Sequence, residues 1–95
     1  MEIREYEGRL ICILSGHLDT PQSQKLEEAL KARLTKPQPV EFEMREVTYV
    51  CSAFLRVCLF VAKTVGAGHF TLLGLTPPIK RVFKIAGMSE LCDCK

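Results

Sequence analysis

The chain has 95 residues, of which 47% are hydrophobic and 25% are charged, a balance typical of one globular domain and not of a disordered tail. Its formal net charge is +2, from 13 basic and 11 acidic side chains that are scattered along the sequence. This pattern lacks the strongly basic footprint of a nucleic-acid-binding protein, so we expect no nucleic acid among its partners.

The five cysteines are an odd number, and Cys12 and Cys58 lie within apolar runs typical of a protein core. A disulfide framework is therefore not expected. The opening residues, MEIREYEG, have neither the basic nor the apolar region of a signal peptide, and no apolar run reaches the roughly 18 residues that span a bilayer. We expect a reduced, cytoplasmic protein without membrane insertion.

The first elements in the chain are two short strands, residues 1–6 and 9–15, separated by the turn pair Glu7-Gly8. A two-residue turn of this kind predicts an antiparallel hairpin. Both alternating sets of side chains in LICIL are apolar, which is typical of a strand in the interior of a sheet.

A helix is predicted after the hairpin, because Leu26, Leu30 and Leu34 recur at helical spacing. Thr20 or Asp19 can cap it, with Pro21 at its first position, and TKPQP ends it. The next stretch, VEFEM, alternates strictly between apolar and acidic residues. It predicts a strand whose sheet has one face in solvent.

The second half of the chain predicts a helix from Ser52 to about Val65, a strand over residues 69–73 and a third helix. Thr76 caps the third helix, Pro77 occupies its first position and Gly87 terminates it. LCDC, residues 91–94, adds a final edge strand.

This order predicts a single α/β domain over residues 1–95. Its sheet of four or five strands is mixed but mostly parallel, with an N-terminal antiparallel hairpin and with helices mainly on one face. In such sheets, binding surfaces gather beyond the carboxyl ends of the strands. We expect His17, Leu18 and Asp19 to meet Cys51 and Ser52 there.

Three blocks of the sequence, in order, resemble the STAS domain family, of the bacterial anti-sigma factor antagonist type. They are SGHLDTPQSQKLEEAL, EFEMREVTYVCSAFLRVCLFVAK and FTLLGLTPPIKRVFKIAGM. The most specific parts are Gly-x-Leu-Asp before the first helix, Ser-Ala-x-Leu-Arg at the second, and Gly-Leu-Thr-Pro-x-x-Lys-Arg-Val-Phe leading into the third. The resemblance covers nearly the whole chain.

The resemblance implies a non-enzymatic, partner-switching module that binds an anti-sigma factor with serine kinase activity. Such modules are switched off by phosphorylation of a serine in a pattern resembling Asp-Ser-Ser-Gly-Leu. In this sequence Cys51 takes the place of the Asp, Ser52 of the first serine, Ala53 of the acceptor and Phe54 of the glycine. The usual switch is therefore expected to be absent or displaced, with Ser52 as the remaining phosphorylation candidate.

Several of these residues have a simpler interpretation. Ser52 can serve only as the N-cap of its helix, and Asp19 can cap the first helix or be the acidic residue that the family places there. Cys51 precedes a helix N-terminus, which lowers a thiol pKa and leaves a redox role open.

No cofactor or metal is expected. His17 and His69 have no second ligand at metal spacing, and Cys92 and Cys94 lack the two further ligands of a tetrahedral site. No nucleophile, base and oxyanion donor can be assembled from the matched positions, so we expect no enzymatic activity.

The predicted partner surface combines the strand ends with the start of the second helix, at His17, Asp19, Thr20, Cys51, Ser52, Ala53 and Phe54. The second helix is apolar nearly all round. Its side at Phe54 and near Val57 or Val61 is expected to remain for a partner, and the alternative is that the flanking helices cover this surface entirely. The alternatives to an anti-sigma factor antagonist are a STAS subunit of a transport or signalling complex and a small cysteine-based redox protein. A homodimer also stays open.

Overall fold

The structure of the protein is a computed structural model that describes residues 1–34, 37–66, 68–88 and 93–94. It contains, in chain order, β1 (Glu2–Tyr6), β2 (Arg9–Leu18), α1 (Thr20–Arg33), β3 (Val40–Val50), α2 (Ser52–Val65), β4 (Phe70–Leu73), α3 (Pro77–Ile85) and β5 (Asp93–Cys94). The alternating order predicted from the sequence is confirmed.

The strands form one sheet in the order β1-β2-β3-β4-β5. β1 and β2 are antiparallel, and each later pair is parallel. Glu7 and Gly8 form the turn of the hairpin, with positive φ values of 51° and 79°. A two-residue turn whose twist matches that of the strands requires this conformation. The predicted mixed, mostly parallel sheet is therefore confirmed, and β5 forms the predicted edge strand. The LC part of LCDC, including Cys92, lies outside the described residues.

The helices cover one face of the sheet, which is why burial alternates along the strands. Leu10, Cys12 and Leu14 of β2 are buried, whereas Ile11 and Ile13 between them are only half-buried. The same alternation along β3 buries its first apolar residues and leaves two glutamates half-buried on the opposite face. One face is therefore uncovered, as VEFEM predicts, and β2 lies inside the sheet between β1 and β3.

Phenylalanine rings join the sheet to two of the helices. Phe42 of β3 lies 4.9 Å from the Phe70 ring of β4 and 5.9 Å from the Phe54 ring of α2, and Phe54 in turn makes an edge contact with Phe83 of α3 at 6.4 Å. All four rings are buried. Aromatic pairs at these separations add about 0.5–1.5 kcal/mol each beyond their burial, so this cluster fixes α2 and α3 on the sheet.

The bounds predicted for α2 are confirmed, but the predicted orientation of the helix was wrong. Phe54, Val57 and Val61 do not face a partner, because all three are buried against the sheet. The large apolar residues of α2 that stay half-buried are Leu55, Leu59 and Phe60. The polar residues Ser52, Arg56 and Lys63 fall on one side of the helix, at i, i+4 and i+11. The sequence therefore did carry a signal that the opposite side, with Phe54, faces the core.

Two strand ends also differ from the prediction. β2 continues to Leu18 and β3 to Val50, so His17 and Leu18 belong to a strand and not to the following loop. Within the described part of the chain, no helix has the length and apolar character needed to cross a membrane.

Candidate functional site

The site lies where β2 and β3 end side by side. Leu18 pairs with Val50 in the parallel register, and each strand leads within two residues into a helix, α1 at Thr20 and α2 at Ser52. Two helix N-termini therefore open at the same edge of the sheet. Each presents backbone amides that no intrahelical carbonyl can satisfy, together with a partial positive charge.

The α1 N-terminus is capped by Asp19. Its Oδ1 accepts a hydrogen bond from the Gln22 amide at 3.1 Å, and its backbone carbonyl accepts from the Ser23 hydroxyl at 2.7 Å. Of the two predicted caps, Asp19 is therefore the cap, and Thr20 is the first helical residue. Pro21 occupies the second helical position and not the predicted first one.

The α2 N-terminus differs from the prediction. Cys51, with extended backbone, is the N-cap, and Ser52 is the first residue of the helix with its side chain exposed. The interpretation of Ser52 as the N-cap is therefore wrong. A residue at the first helical position has helical backbone angles and cannot direct its side chain back over the next turn as a cap does.

The Cys51 sulfur lies among hydroxyls and amides contributed by both helix starts. Ser23 Oγ is 3.9 Å and Thr20 Oγ1 4.0 Å from Cys51 Sγ. Partial burial raises the pKa of this thiol, but hydrogen bonding from the Phe54 amide, the Ser23 hydroxyl, the Ala53 amide and the Thr20 hydroxyl outweighs it. The net result is a pKa below the ordinary cysteine value.

The two other described core thiols behave differently. Cys12 and Cys58 are fully buried, as predicted. Burial raises the pKa of Cys12 to about 12, although the nearby Arg33 charge opposes this change. Among the described cysteines of the helical layer and sheet interior, Cys51 is therefore the one with thiolate character and access to solvent.

His17 lies beside this junction and stacks on Tyr49 of the neighbouring strand. The two ring centroids are 5.2 Å apart with the planes inclined at 39°, and the two residues are paired in the β2–β3 register. Tyr49 is 47% exposed, so its ring is accessible at this end of the sheet. The rings extend the site onto the end of the sheet.

The structure brings most of the predicted partner-binding residues to one end of the fold. His17, Asp19, Thr20, Cys51 and Ser52 lie at the two strand-to-helix junctions, and Ala53 is half-buried beside them. Phe54 does not belong to this surface. Phe54 is 0% exposed and its ring packs in the core, so it offers no contact area to a partner.

Two residues of the site were not predicted from the sequence. Ser23 is 1% exposed and joins α1 to the Cys51 thiol. The sequence could have predicted that Ser23 lies on the apolar side of α1, because it precedes Leu26 by three residues and Leu30 by seven. Tyr49 carried no such signal, because its contact with His17 depends on the register shift between Gly16 and His17.

No cluster of three or more His, Cys, Asp or Glu side chains suited to hold a metal occurs within residues 1–34, 37–66, 68–88 and 93–94. The arrangement instead offers amide donors, the exposed hydroxyls of Thr20 and Ser52 and a polarised thiol at the surface. These groups can receive an anionic group or a complementary protein surface.

Comparison with known proteins gives consistent findings. A family model described as "Mlab, STAS domain" matches residues 7–93. BtrV of Bordetella bronchiseptica, a protein provisionally named an anti-sigma factor antagonist, is 34% identical over 88 residues, which cover 90% of this chain and 76% of BtrV.

Solved structures share the fold at lower identity. The anti-sigma factor antagonist SpoIIAA in its unphosphorylated form has a TM-score of 0.85 and 14% identity, covering 99% of this chain and 86% of its own. An anti-sigma factor antagonist from Mycobacterium paratuberculosis has a TM-score of 0.83 and 18% identity, covering 98% of this chain and 81% of its own. At these identities the likeness concerns the fold alone.

Proposed function

Because the chain belongs to the STAS domain family, we propose that it is an anti-sigma factor antagonist. In this proposal it is a non-enzymatic module of the bacterial cytoplasm that regulates transcription by binding an anti-sigma factor with serine kinase activity. The observation that carries the proposal is the 34% identity to BtrV, which extends over 90% of this chain. A STAS subunit of a transport or signalling complex would need a protein partner too, so the identity of that partner distinguishes the two.

We place the partner on the junction of the two helix starts, at His17, Asp19, Thr20, Cys51, Ser52 and Ala53, and add Tyr49. Two observations support this placement. The junction exposes an aromatic ring, and both helices open there with positively polarised amides. Aromatic residues in such positions are frequent anchors of protein interfaces.

The test of the partner is affinity capture from the source cell followed by identification of the retained protein. We expect an anti-sigma factor with a kinase domain. Tyr49→Ala is the diagnostic variant, because a central aromatic anchor contributes about 2 kcal/mol or more to an interface, or roughly a 30-fold loss of affinity. Tyr6→Ala is the matched control, since Tyr6 is also an exposed tyrosine but pairs with Arg9 at the opposite end of β2.

Retention of an unrelated transporter subunit by the wild type would assign the protein to the alternative class. Equal loss of binding in both tyrosine variants would contradict the placement at the helix junction. Hydrolysis of ATP by the purified protein, lost in Asp19→Ala, would contradict its non-enzymatic character.

The regulatory switch is the second part of the proposal. A kinase transfers its phosphoryl group to a hydroxyl, and the methyl group of Ala53 offers no nucleophile. Ser52 is exposed at the first helical position and is not held as a cap, so its hydroxyl is the acceptor that remains at this site. A side chain one position earlier is rotated by about 100° about the helix axis, which displaces it from the family's acceptor geometry.

We therefore expect the wild type to stay unphosphorylated by the cognate kinase and to remain bound to it. Intact mass after incubation with kinase and ATP compares the wild type with Ala53→Ser and Ser52→Ala. Phosphate appearing only in Ala53→Ser supports the proposal. Stoichiometric phosphate on the wild type that disappears in Ser52→Ala would show a switch displaced by one residue.

A redox function has one observation in its favour, the lowered pKa of Cys51. The sulfur contacts hydroxyls of Thr20 and Ser23, and the two other core cysteines, Cys12 and Cys58, are buried. A loss of partner binding on mild oxidation that is prevented in Cys51→Ser would favour this function.

A further inference from the structure

The helices α2 and α3 have an unbalanced charge. The sequence from Cys51 to Met88 has no acidic residue, whereas 11 acidic residues occur in the rest of the chain. Five basic side chains lie in the same stretch, and all of them are exposed: Arg56 and Lys63 on α2, and Lys80, Arg81 and Lys84 on α3. The scatter of charges expected from the whole sequence does not hold here. We call these five residues the basic helix surface.

The basic helix surface has no ion-pair partner among the described residues. Elsewhere, Arg4, Arg9, Lys31 and Arg45 each lie within 4 Å of a glutamate oxygen. On α3, by contrast, Lys80 and Lys84 are one helical turn apart, a like-charged spacing that destabilises a helix. An acidic partner would relieve the repulsion between these unpaired cations.

Half-buried leucines accompany the cations of α2. Leu55 and Leu59 of α2 are half-buried and follow each other at i, i+4 spacing. They lie on the opposite flank of α2 from Phe60, whose ring is covered by Lys31 of α1 at 5.8 Å. They are therefore on the flank that α1 does not cover.

The side of α2 that carries Leu55 and Leu59 begins at the proposed partner site. Two interleaved series run along one outer side of α2: Ser52, Arg56, Leu59 and Lys63 at intervals of four, three and four residues, and Leu55 and Leu59 at an interval of four. Ser52 marks the junction of the two helix starts. A partner seated on the junction has an uninterrupted path along this side of the helix.

We propose that the outer side of α2 and the basic row of α3 bind a partner segment that carries acidic residues around an apolar stripe. The cations of this surface attract acidic side chains of the partner, and the half-buried leucines contact its apolar side chains. A protein segment fits both features, whereas a phosphate backbone would use only the cations and leave the leucines uncovered. The identity of the partner rests on the proposed function. The chemical character of the partner segment does not, because it follows from the charges and leucines of this surface.

The test uses the full chain and defined probes. The main probe is a labelled synthetic amphipathic helical peptide with a leucine stripe flanked by glutamates, and binding is followed by fluorescence anisotropy. A second peptide has lysines in place of the glutamates, and a third has serines in place of the leucines. We expect saturable binding of the first probe, which weakens as salt is raised, and at least about tenfold weaker binding of the other two.

Charge-reversal variants locate the binding. The double variant Arg56→Glu with Lys84→Glu should weaken binding of the first probe by about tenfold or more. The matched control is Lys25→Glu with Arg33→Glu, which makes the same change of net charge at exposed positions of α1. Circular dichroism and urea midpoints verify that both variants are folded.

Equal weakening in the two double variants would overturn the proposal, because binding would then follow net charge alone. It would also be overturned if the first probe failed to bind at about 1 mM, or if a DNA duplex or vesicles with anionic lipid bound more tightly and displaced it. These outcomes are independent of the capture experiment, which fails or succeeds on the identity of a natural partner.

Discussion

Replacing Phe54 by alanine tests whether this side chain belongs to the core or to the partner surface. Phe54 is fully buried and contacts the rings of Phe42 and Phe83. Removing a buried phenylalanine side chain costs about 3–5 kcal/mol, and the loss of two aromatic pairs places this variant in the upper part of that range. The total stability of a domain of this size is about 5–15 kcal/mol, so Phe54→Ala loses a large share of it.

The measurement is urea unfolding followed by circular dichroism, with thermal unfolding as a second reading. We expect the midpoint to fall strongly with an unchanged slope, and the melting temperature to fall by roughly 15–30 °C. Leu55→Ala is the control, because the adjacent residue is only half-buried and should lose about half as much or less. A loss below about 1 kcal/mol for Phe54→Ala would refute the buried orientation of α2, and Phe54 would return to the partner surface.

Three further predictions concern the site and the loop that follows β4. Cys51 should react with iodoacetamide at a rate that rises through a pKa below that of an ordinary thiol, whereas Cys12, with a pKa of about 12, should stay unmodified in native protein; equal labelling of both by mass spectrometry would contradict this. Asp19→Ala should lose about 1 kcal/mol in urea unfolding because the Gln22 amide loses its acceptor, while Ser52→Ala should be nearly neutral, and a reversed order would restore Ser52 as a cap. Gly74→Ala should cost more than about 1 kcal/mol, since φ is 71° there and a Cβ would lie 2.8 Å from a Glu43 oxygen; a neutral result would mean that this loop lies elsewhere.

The lowered pKa of Cys51 also predicts the direction in which the free energy of unfolding changes with pH. The folded protein favours the thiolate, so this group stabilises the fold above the ordinary thiol pKa, and the contribution is lost as pH falls through the lower folded value. Stability of Cys51→Ser, measured by urea unfolding, should lack this contribution at alkaline pH. A difference between the two proteins that does not change with pH would show that the thiol is not polarised by its surroundings.

The sequence by itself determined the features that depend on neighbours along the chain. The Glu7-Gly8 hairpin, the start of α2 at Ser52 and the end of α3 before Gly87 follow from turn chemistry and periodicity, which act within a few residues. The alternation in VEFEM determined that one face of the sheet is uncovered, because successive strand side chains point to opposite faces.

The tertiary structure alone decided how the site is composed. The spacing of Ser52, Arg56 and Lys63 already marks the outer side of α2. Only the packing of the helix on the sheet decides how far its flanks are covered, and it leaves Leu55 and Leu59 half-buried. The contact of Ser23 with Cys51 joins residues 28 positions apart, so it depends on the angle at which α1 and α2 pack against each other on the sheet. Local sequence carries no record of that angle, because it is set by how the side chains of two helices and the sheet beneath them interlock.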